Sequence, residues 1–260
     1  MRIELSSFEP IGFFRSEAKY AYDVPRQGIL AKDNTGEITL LPGRNFETAL
    51  EGLEGFSRIW VLFVFDRNGD QWHPKVQPPR HLDHKVGVFA TRSPYRPNPI
   101  GLSCVELLEI RGRTLVVRGH DLLDGTPILD VKPYLPYADS FPEAAAGWTD
   151  VPQTVLPIAF TKEAEAQIAW LAENGVPCLR DFIVEQLSEE PLNPKRHRLV
   201  KIDGSEELFL AYRTWRVRFK TDSNGVEVMA ITSGYSVDEL ASDDDKYHDK
   251  ALHRLFKEQF

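Results

Sequence analysis

One stretch of the sequence concentrates side chains that bind small molecules, ATRSPYRPNPIGLS at residues 90–103. It holds three prolines and two arginines between two apolar, strand-like runs at 86–90 and 102–110. Because proline fixes φ and has no backbone N–H, we predict a stiff loop that is neither helix nor strand. A rigid scaffold uses such loops to bring polar groups together on a ligand. The polar candidates in it are Arg92, Ser93, Tyr95, Arg96 and Asn98.

Other polar groups also stand at the ends of predicted strands. They are Pro25-Arg26-Gln27, Asp66 after the apolar run 58–65, and Asp121–Thr126 with its turn dipeptide Asp124-Gly125. Carboxylates bind ribose hydroxyls, and arginine binds a carboxylate through two hydrogen bonds. If the fold brings these loops together, the inventory therefore suits a nucleoside or an amino-acid-like ligand. Taken singly, each feature is equally compatible with an ordinary structural turn.

The sequence lacks the motifs of several other kinds of chemistry. The sequence has no P-loop, no GxGxxG, no nucleophile elbow and no Ser-His-Asp order. Cys104 and Cys178 lie far apart without a CxxC pair or a histidine cluster, so we expect no metal and a reducing compartment. We find no signal peptide and no membrane span, and expect a cytoplasmic protein. The net charge of −8 disfavours general nucleic-acid binding but permits a local basic patch.

The elements that must position these loops are mostly short strands. Apolar periodicity predicts strands at 8–16, 37–41, 58–65, 102–110, 114–119 and 128–131. We expect the run 58–65 to be buried on both faces, and a hairpin turn at 111–113. Many short strands joined by connections rich in Pro and Gly favour an antiparallel barrel or sandwich over alternating β and α units.

The pattern changes after about residue 138, where a linker-like stretch leads to a smaller α+β domain. Its predicted helices and strands lie at 162–174, 178–187, 208–212, 215–219 and 226–231. We expect one domain at 1–140, a second at 155–233 and a solvated acidic tail at 234–260. Strict alternation in WRVRF at 215–219 places Arg216 and Arg218 on one face of a strand.

Several segments together resemble the TrmO (TsaA-like) family of tRNA methyltransferases. They are PRQ at 25–27, GLEGFSRIWVLFVF at 52–65, PPR at 78–80, ATRSPYRPNPIGLS at 90–103 and LLDGTPILDVKPY at 122–134. Motifs of this length are specific. The resemblance implies a mainly β fold, a single-sheeted antiparallel β-barrel with a second, smaller α+β domain, and a homodimer. It also implies methyl transfer from S-adenosylmethionine to N6 of N6-threonylcarbamoyladenosine beside the tRNA anticodon.

The resemblance assigns cofactor contacts to residues throughout the barrel. They are Pro25, Arg26, Gln27, Phe65, Asp66, Arg92, Leu102, Leu123, Asp124, Gly125 and Thr126. For catalysis we expect mainly positioning, by Arg92, Asn98 and Tyr134, because methyl transfer is an in-line displacement. The candidate proton acceptors are Asp124, Asp130 and Tyr134. Asp66 stands where the family usually has histidine, so the adenosine contact there is expected to differ.

Basic residues are the candidates for the tRNA anticodon arm. Arg96 or Lys132 is expected to bind the threonyl carboxylate, although Lys132 and Asp130 are equally expected to form an ion pair. Phosphates are expected to meet either Lys75, Arg80 and Arg96, or Arg196, Arg198, Arg216 and Arg218. Two alternatives stay open: a methyltransferase with another RNA or a small-molecule substrate, and a nucleotide-binding module without turnover.

Overall fold

The computed structural model describes residues 8–18, 34–69, 71–78, 82, 84–150, 155–189, 191–193, 199–201 and 207–260. The chain divides into two compact units, residues 1–152 and 153–260. Among the described residues, none of the helices combines the length and the apolar character that crossing a membrane requires.

The described residues of the first unit form eight strands. They are β1 (Gly12–Arg15), β2 (Thr35–Leu40), β3 (Arg58–Val64), β4 (Lys75–Val76), β5 (Val86–Gly87), β6 (Ile100–Arg111), β7 (Thr114–Arg118) and β8 (Pro127–Pro133). Six of them close a barrel in the order β1-β2-β7-β6-β3-β8, and every neighbouring pair is antiparallel. The short helices α1 (Phe46–Ala49) and α2 (Pro136–Asp139) lie in its connections. The predicted antiparallel barrel is confirmed.

Burial alternates along the barrel strands because one face of each strand lines the interior. On β3, Ile59, Val61 and Phe63 are buried while the residues between them are half-buried. The expectation that the run 58–65 is buried on both faces is therefore wrong. The run is continuously apolar because the outer face of β3 is apolar as well.

Two glycines let aromatic rings fill the barrel interior. A Cβ atom at Gly36 would lie 2.2 Å from the ring of Phe14, and one at Gly101 would lie 2.2 Å from the ring of Phe63. Real Cβ atoms do not approach so closely. Both rings are almost fully buried, so the glycines make room for two of the largest side chains in the barrel core.

The second unit is an α+β arrangement. Its elements are β9 (Ile158–Phe160), α3 (Lys162–Glu173), α4 (Leu179–Leu187), β10 (Leu199–Lys201), β11 (Leu208–Tyr212), β12 (Trp215–Thr221), β13 (Val226–Ser233), α5 (Val237–Ala241) and α6 (Lys250–Gln259). The sheet has the order β10-β11-β12-β13-β9, and only β9 runs parallel to its neighbour. On β12 the predicted alternation holds, with Trp215, Val217 and Phe219 buried.

The last helix packs into the core of this unit. We expected a solvated tail over residues 234–260, but Phe256 is 4% exposed and belongs to the hydrophobic cluster of the second unit. His253 is fully buried and stacks on Trp215 with 3.7 Å between ring centroids. The acidic run at 243–245 precedes α6, so apolar side chains on one helical face outweigh the charge of the preceding loop.

Candidate functional site

Most of the polar loops singled out from the sequence lie at one end of the barrel. Val64 at the end of β3 pairs with Ile100 at the start of β6, and Phe13 in β1 pairs with Pro127 at the start of β8. The segments after β1 and β3 and before β6 and β8 therefore adjoin one another, and we call this end of the barrel the site end. The opposite end carries the 111–113 hairpin turn and Tyr134.

The turn at residues 123–126 has its N–H groups already in use. The amides of Asp124, Gly125 and Thr126 donate to the carbonyls of Ala18, Phe14 and Leu123 at 2.8, 2.8 and 3.2 Å. Gly125 has a φ of +80°, a conformation that other residues rarely adopt. The carbonyls of Leu123, Asp124 and Thr126 also accept hydrogen bonds, from the Thr126 N–H, the Arg67 guanidinium and the Phe14 N–H. The turn is thus fixed against β1, and what it offers a ligand is the Gly125 carbonyl and the Asp124 carboxylate rather than N–H donors.

The carboxylate of Asp124 remains accessible. Its Oδ1 accepts a hydrogen bond from the Ser16 N–H at 3.3 Å and lies 3.9 Å from Nη1 of Arg15. The side chain is 32% exposed. The guanidinium of Arg67 donates to the Asp124 carbonyl. Asp124 therefore combines a fixed main chain with an accessible anionic side chain.

The loop at residues 91–99 is neither helix nor strand, as predicted. Nη1 of Arg96 donates to the carbonyls of Thr91 at 2.6 Å and Val88 at 3.2 Å. The Ser93 hydroxyl accepts from the Tyr95 N–H at 3.3 Å. Arg96 thus supports the loop from inside, which competes with its expected contact to a substrate carboxylate or phosphate.

Of the other candidates of the barrel that the structure describes, most lie around the site end. Phe65 is half-buried, and its N–H donates to the Pro99 carbonyl at 2.8 Å. Asp66, Arg92 and Asn98 are exposed. Leu102 is 50% exposed and lies on the outer face of β6. Pro25, Arg26 and Gln27 lie outside the described residues.

Three candidates on β8 and beyond it are not gathered at the site end. Tyr134 follows the far end of β8, and its N–H donates to the Arg58 carbonyl at 3.0 Å. The length of β8, about 20 Å at ~3.3 Å per residue, separates it from the 123–126 turn. Asp130 and Lys132 form an ion pair at 2.8 Å. Within one chain, the grouping of Tyr134 with Asp124 in a single site is therefore wrong.

The basic candidates differ in how they are paired. Lys75 is exposed in β4. Arg218 donates to the Glu207 carboxylate at 2.6 and 3.0 Å, and Arg216 donates to the Trp215 carbonyl at 2.9 Å. The charge of Arg218 is thus compensated. Arg80, Arg196 and Arg198 lie outside the described residues.

Two buried polar groups at the site end were missed by the sequence analysis. The Ser103 hydroxyl, 6% exposed, donates to the Asp121 carboxylate. His120 is 2% exposed, and burial lowers its pKa from 6.5 to about 4. Neither had a sequence signal, because a serine within a strand and an isolated histidine are ordinary. No group of potential metal ligands occurs among the described residues.

Arg67 and Asn68 were also missed. They immediately follow the most apolar strand of the protein, and both donate to main-chain carbonyls in the candidate loops. Their position directly after a buried strand is the signal that could have found them, because strand ends are where a barrel presents its loops.

Comparison with known proteins shows which family the chain resembles. A family model described as the tRNA-methyltransferase O N-terminal domain matches residues 13–140. The chain is 41% identical over 235 residues to a protein of Escherichia coli (strain K12) named tRNA (adenine(37)-N6)-methyltransferase, covering 86% of this chain and 97% of that protein. It is 39% identical over 187 residues to a Pseudomonas aeruginosa protein whose name describes an S-adenosylmethionine-dependent methyltransferase, covering 71% of this chain and 81% of that protein.

A solved structure supports the same relationship. The crystal structure of TrmO from Pseudomonas aeruginosa superimposes with a TM-score of 0.64 and 31% identity, covering 89% of this chain and all of that chain. The resemblance found in the sequence motifs is therefore confirmed by both sequence and fold. The chain belongs to the tRNA-methyltransferase O (TrmO) family of methyltransferases.

Proposed function

We propose that the protein transfers a methyl group from S-adenosylmethionine to N6 of N6-threonylcarbamoyladenosine at position 37 of tRNA, in the cytoplasm. The 41% identical relative, matched over 97% of its length, is named for N6 methylation of adenine 37. The structural observation that carries the proposal is the fixed 123–126 turn, which offers oxygen acceptors at the site end of a methyltransferase-family barrel.

The residues of the site end fit S-adenosylmethionine, which supplies a methyl group on a positively charged sulfur. The oxygens of the 123–126 turn suit ribose hydroxyls and amino groups, which are hydrogen-bond donors. The carboxylates of Asp124 and Asp66 favour positive charge. The guanidinium of Arg92 suits the methionyl carboxylate. Phe65 and Leu102 offer apolar contact to the adenine ring.

The chain's main catalytic task is positioning. In-line displacement forms the N6–CH₃ bond as the S–CH₃ bond breaks, so orientation by Arg92 and Asn98 contributes more than any dedicated base. N6 also loses its proton to an acceptor. Of the proposed acceptors, Asp124 is favoured, because it lies at the site end and is accessible. Asp130 is already paired with Lys132, and Tyr134 lies at the other end of its chain's barrel.

For tRNA binding, we favour the barrel group of Lys75, Arg80 and Arg96 over the second-unit group, with the exposed Lys75 as its main described member because Arg96 already donates to loop carbonyls. The compensation of Arg218 by Glu207 removes one free charge from the second group. Reversing Arg196 and Arg198 to Glu tests that group directly. If this double variant flattens the salt dependence of tRNA binding while cofactor binding stays unchanged, the second unit is the RNA platform instead.

We also propose a homodimer through the outer face of β3 and β6. Three successive cross-strand pairs on this face are apolar: Trp60 with Cys104, Leu62 with Leu102, and Val64 with Ile100. An outward apolar patch of this kind is typical of an interface. Light scattering is expected to give a dimer mass, and Leu62→Glu to give a monomer. A monomeric, active wild-type protein would contradict the proposal.

The decisive assay uses S-adenosylmethionine labelled on its methyl group and two matched tRNAs, one with and one without the threonylcarbamoyl group. We expect label only in the modified tRNA, at adenosine 37, as read by nucleoside mass spectrometry. Label in both tRNAs or in another nucleoside would select a different RNA substrate. Cofactor binding without transfer to any RNA would select a binding module.

A further inference from the structure

Four residues directly after β3 connect the two candidate loops of the site end. We call residues 65–68 the bracket. The Phe65 N–H donates to the Pro99 carbonyl at 2.8 Å, and Nδ2 of Asn68 donates to the Pro94 carbonyl at 2.7 Å. Both of those acceptors belong to the stiff loop 91–99. The guanidinium of Arg67 points the other way along the rim and donates to the carbonyl of Asp124.

We propose that Arg67 and Asn68 are positioning residues, each acting through a different loop. Arg67 fixes the 123–126 turn and thereby governs cofactor affinity. Asn68 fixes the 91–99 loop, which carries Arg92 for the cofactor and Arg96 and Asn98 for tRNA, and thereby governs the affinity for both. The inference rests on the proposed function and deepens it, because it assigns control of the cofactor to one arm of a short segment and control of both ligands to the other.

The case for Arg67 comes from the state of the turn. The three turn amides are already hydrogen-bonded, so the cofactor-facing groups are oxygens whose direction depends on the orientation of the peptide planes. Arg67 donates to the peptide carbonyl between residues 124 and 125, and its Nη2 lies 3.8 Å from the Cβ position of Gly125. Gly125 has the widest conformational freedom of the turn. A charged donor at that peptide limits the turn to one orientation.

The case for Asn68 comes from the composition of the stiff loop. Pro94, Pro97 and Pro99 lack backbone N–H groups, so the loop has few main-chain donors, and side-chain donors supplement main-chain bonds such as that of the Arg96 N–H to the Pro94 carbonyl at 2.9 Å. Arg96 supports the loop at its start, through the carbonyls of Val88 and Thr91. Asn68 holds its middle, at Pro94, from the end of a strand in the barrel wall. Loss of that bond loosens the section that carries Arg96 and Asn98 and, because Arg96 holds the Thr91 carbonyl, the neighbouring Arg92 as well.

The chain provides a matched control for Arg67. Nη1 of Arg113 also donates to a main-chain carbonyl, that of Leu40, at 2.6 Å. Leu40 lies in β2 at the opposite end of the barrel, where strand pairing already fixes its position. Arg113→Ala therefore removes the same chemistry from a place with no candidate loop.

The test compares Arg67→Ala, Asn68→Asp and Arg113→Ala in the full-length protein. Aspartate keeps the size of asparagine but, as a carboxylate, cannot donate. Calorimetry with S-adenosylhomocysteine measures cofactor affinity, and filter binding with modified tRNA measures RNA affinity. We expect Arg67→Ala to weaken cofactor binding about tenfold and leave tRNA affinity close to wild type. Asn68→Asp is expected to weaken both affinities, and Arg113→Ala to change neither.

Thermal melting checks that each variant folds, and Arg67→Lys, which keeps a donor, is expected to regain part of the cofactor affinity. The inference is overturned if Arg67→Ala weakens tRNA binding as much as cofactor binding, if Asn68→Asp leaves either affinity at its wild-type value, or if both variants behave like Arg113→Ala. Any of these results would leave the outcome of the wild-type methylation assay, and with it the proposed function, unaffected. If wild type neither binds cofactor nor methylates tRNA, the proposed function fails first, and this inference fails with it.

Discussion

The two ends of the barrel use arginine in different ways. At the end opposite the site, Arg111 and Arg113 pair with nearby glutamates at 2.7 and 3.0 Å, and the main-chain carbonyl that Arg113 also contacts, that of Leu40, is already fixed by strand pairing. At the site end, Arg67 and Arg96 donate to main-chain carbonyls of loops. The first arrangement places ion pairs on the protein surface. The second fixes the backbone conformation of the loops at the site end.

This difference shows where the barrel is sensitive to sequence. Exposed ion pairs contribute little, about 0–1 kcal/mol, and tolerate replacement. A loop whose shape depends on a few side-chain donors does not tolerate their loss, because the ligand contacts of the loop move with it. Both ends carry long connections: residues 41–57 join β2 to β3 at the opposite end, and residues 88–99 lead into β6 at the site end.

The largest expected effect concerns the buried histidine of the site end. Burial lowers the pKa of His120 from 6.5 to about 4. The unfolded chain therefore takes up this proton at a higher pH than the folded barrel does. The contribution of the neutral His120 ring to the free energy of unfolding is fully present above pH 6.5 and is lost as the pH falls through about 4. The total is on the order of 3 kcal/mol. Nuclear magnetic resonance titration of the ring checks this, and a midpoint near 6.5 would refute it.

Next in size is the effect of Arg92→Ala, with Arg111→Ala as the matched change at the opposite end. A charge-assisted hydrogen bond contributes about 1.5–3 kcal/mol, so the first variant is expected to lose roughly tenfold or more in cofactor affinity. The second is expected to bind as wild type. Titration calorimetry measures both. Equal losses of cofactor affinity in the two variants would mean that the two ends of the barrel do not differ in how they use arginine.

A smaller effect is expected from packing at the site end. Gly101→Ala places a methyl group 2.2 Å from the ring of Phe63, whereas Gly87→Ala meets nothing within 4 Å. Overpacking of a core costs about 1–3 kcal/mol, so only the first change is expected to lower the free energy of unfolding in urea. Similar unfolding curves for both variants would show that the barrel interior can accommodate the added methyl group.

The smallest expected effect is on the salt dependence of tRNA binding. Each phosphate contact contributes about 0.7–0.9 to the slope of log affinity against log salt. Lys75→Ala is expected to reduce the slope by about one such contact. Arg218→Ala, whose charge Glu207 already compensates, is expected to leave it unchanged. The reverse ranking of these two variants would move the RNA platform to the second unit.

Much of the fold could be predicted from the sequence. Alternation and turn dipeptides are local signals, and they located most barrel strands, the 111–113 hairpin and the 123–126 turn. These local signals could not show which strand ends lie next to one another in the barrel. Asp124 and Tyr134 are ten positions apart in sequence, and only the closed barrel shows that β8 carries them to opposite ends.

The same limit explains the tail and the missed residues. The acidic run before α6 suggested solvation, but the burial of Phe256 depends on a partner, Trp215, that lies far away in sequence. Arg67 and Asn68 contact loops that lie 57 and 26 residues away. Long-range contacts of this kind carry no local pattern, and so they appear only in the structure.

The most direct test of the account is a crystal structure of the protein with S-adenosylhomocysteine. We predict that the ligand lies at the site end, with its ribose or amino group on the oxygens of the 123–126 turn and its carboxylate near Arg92. The bracket residues are expected to keep their hydrogen bonds and to lie behind both loops without touching the ligand. A ligand bound at the opposite end of the barrel, against Tyr134, or in the second unit would contradict the account.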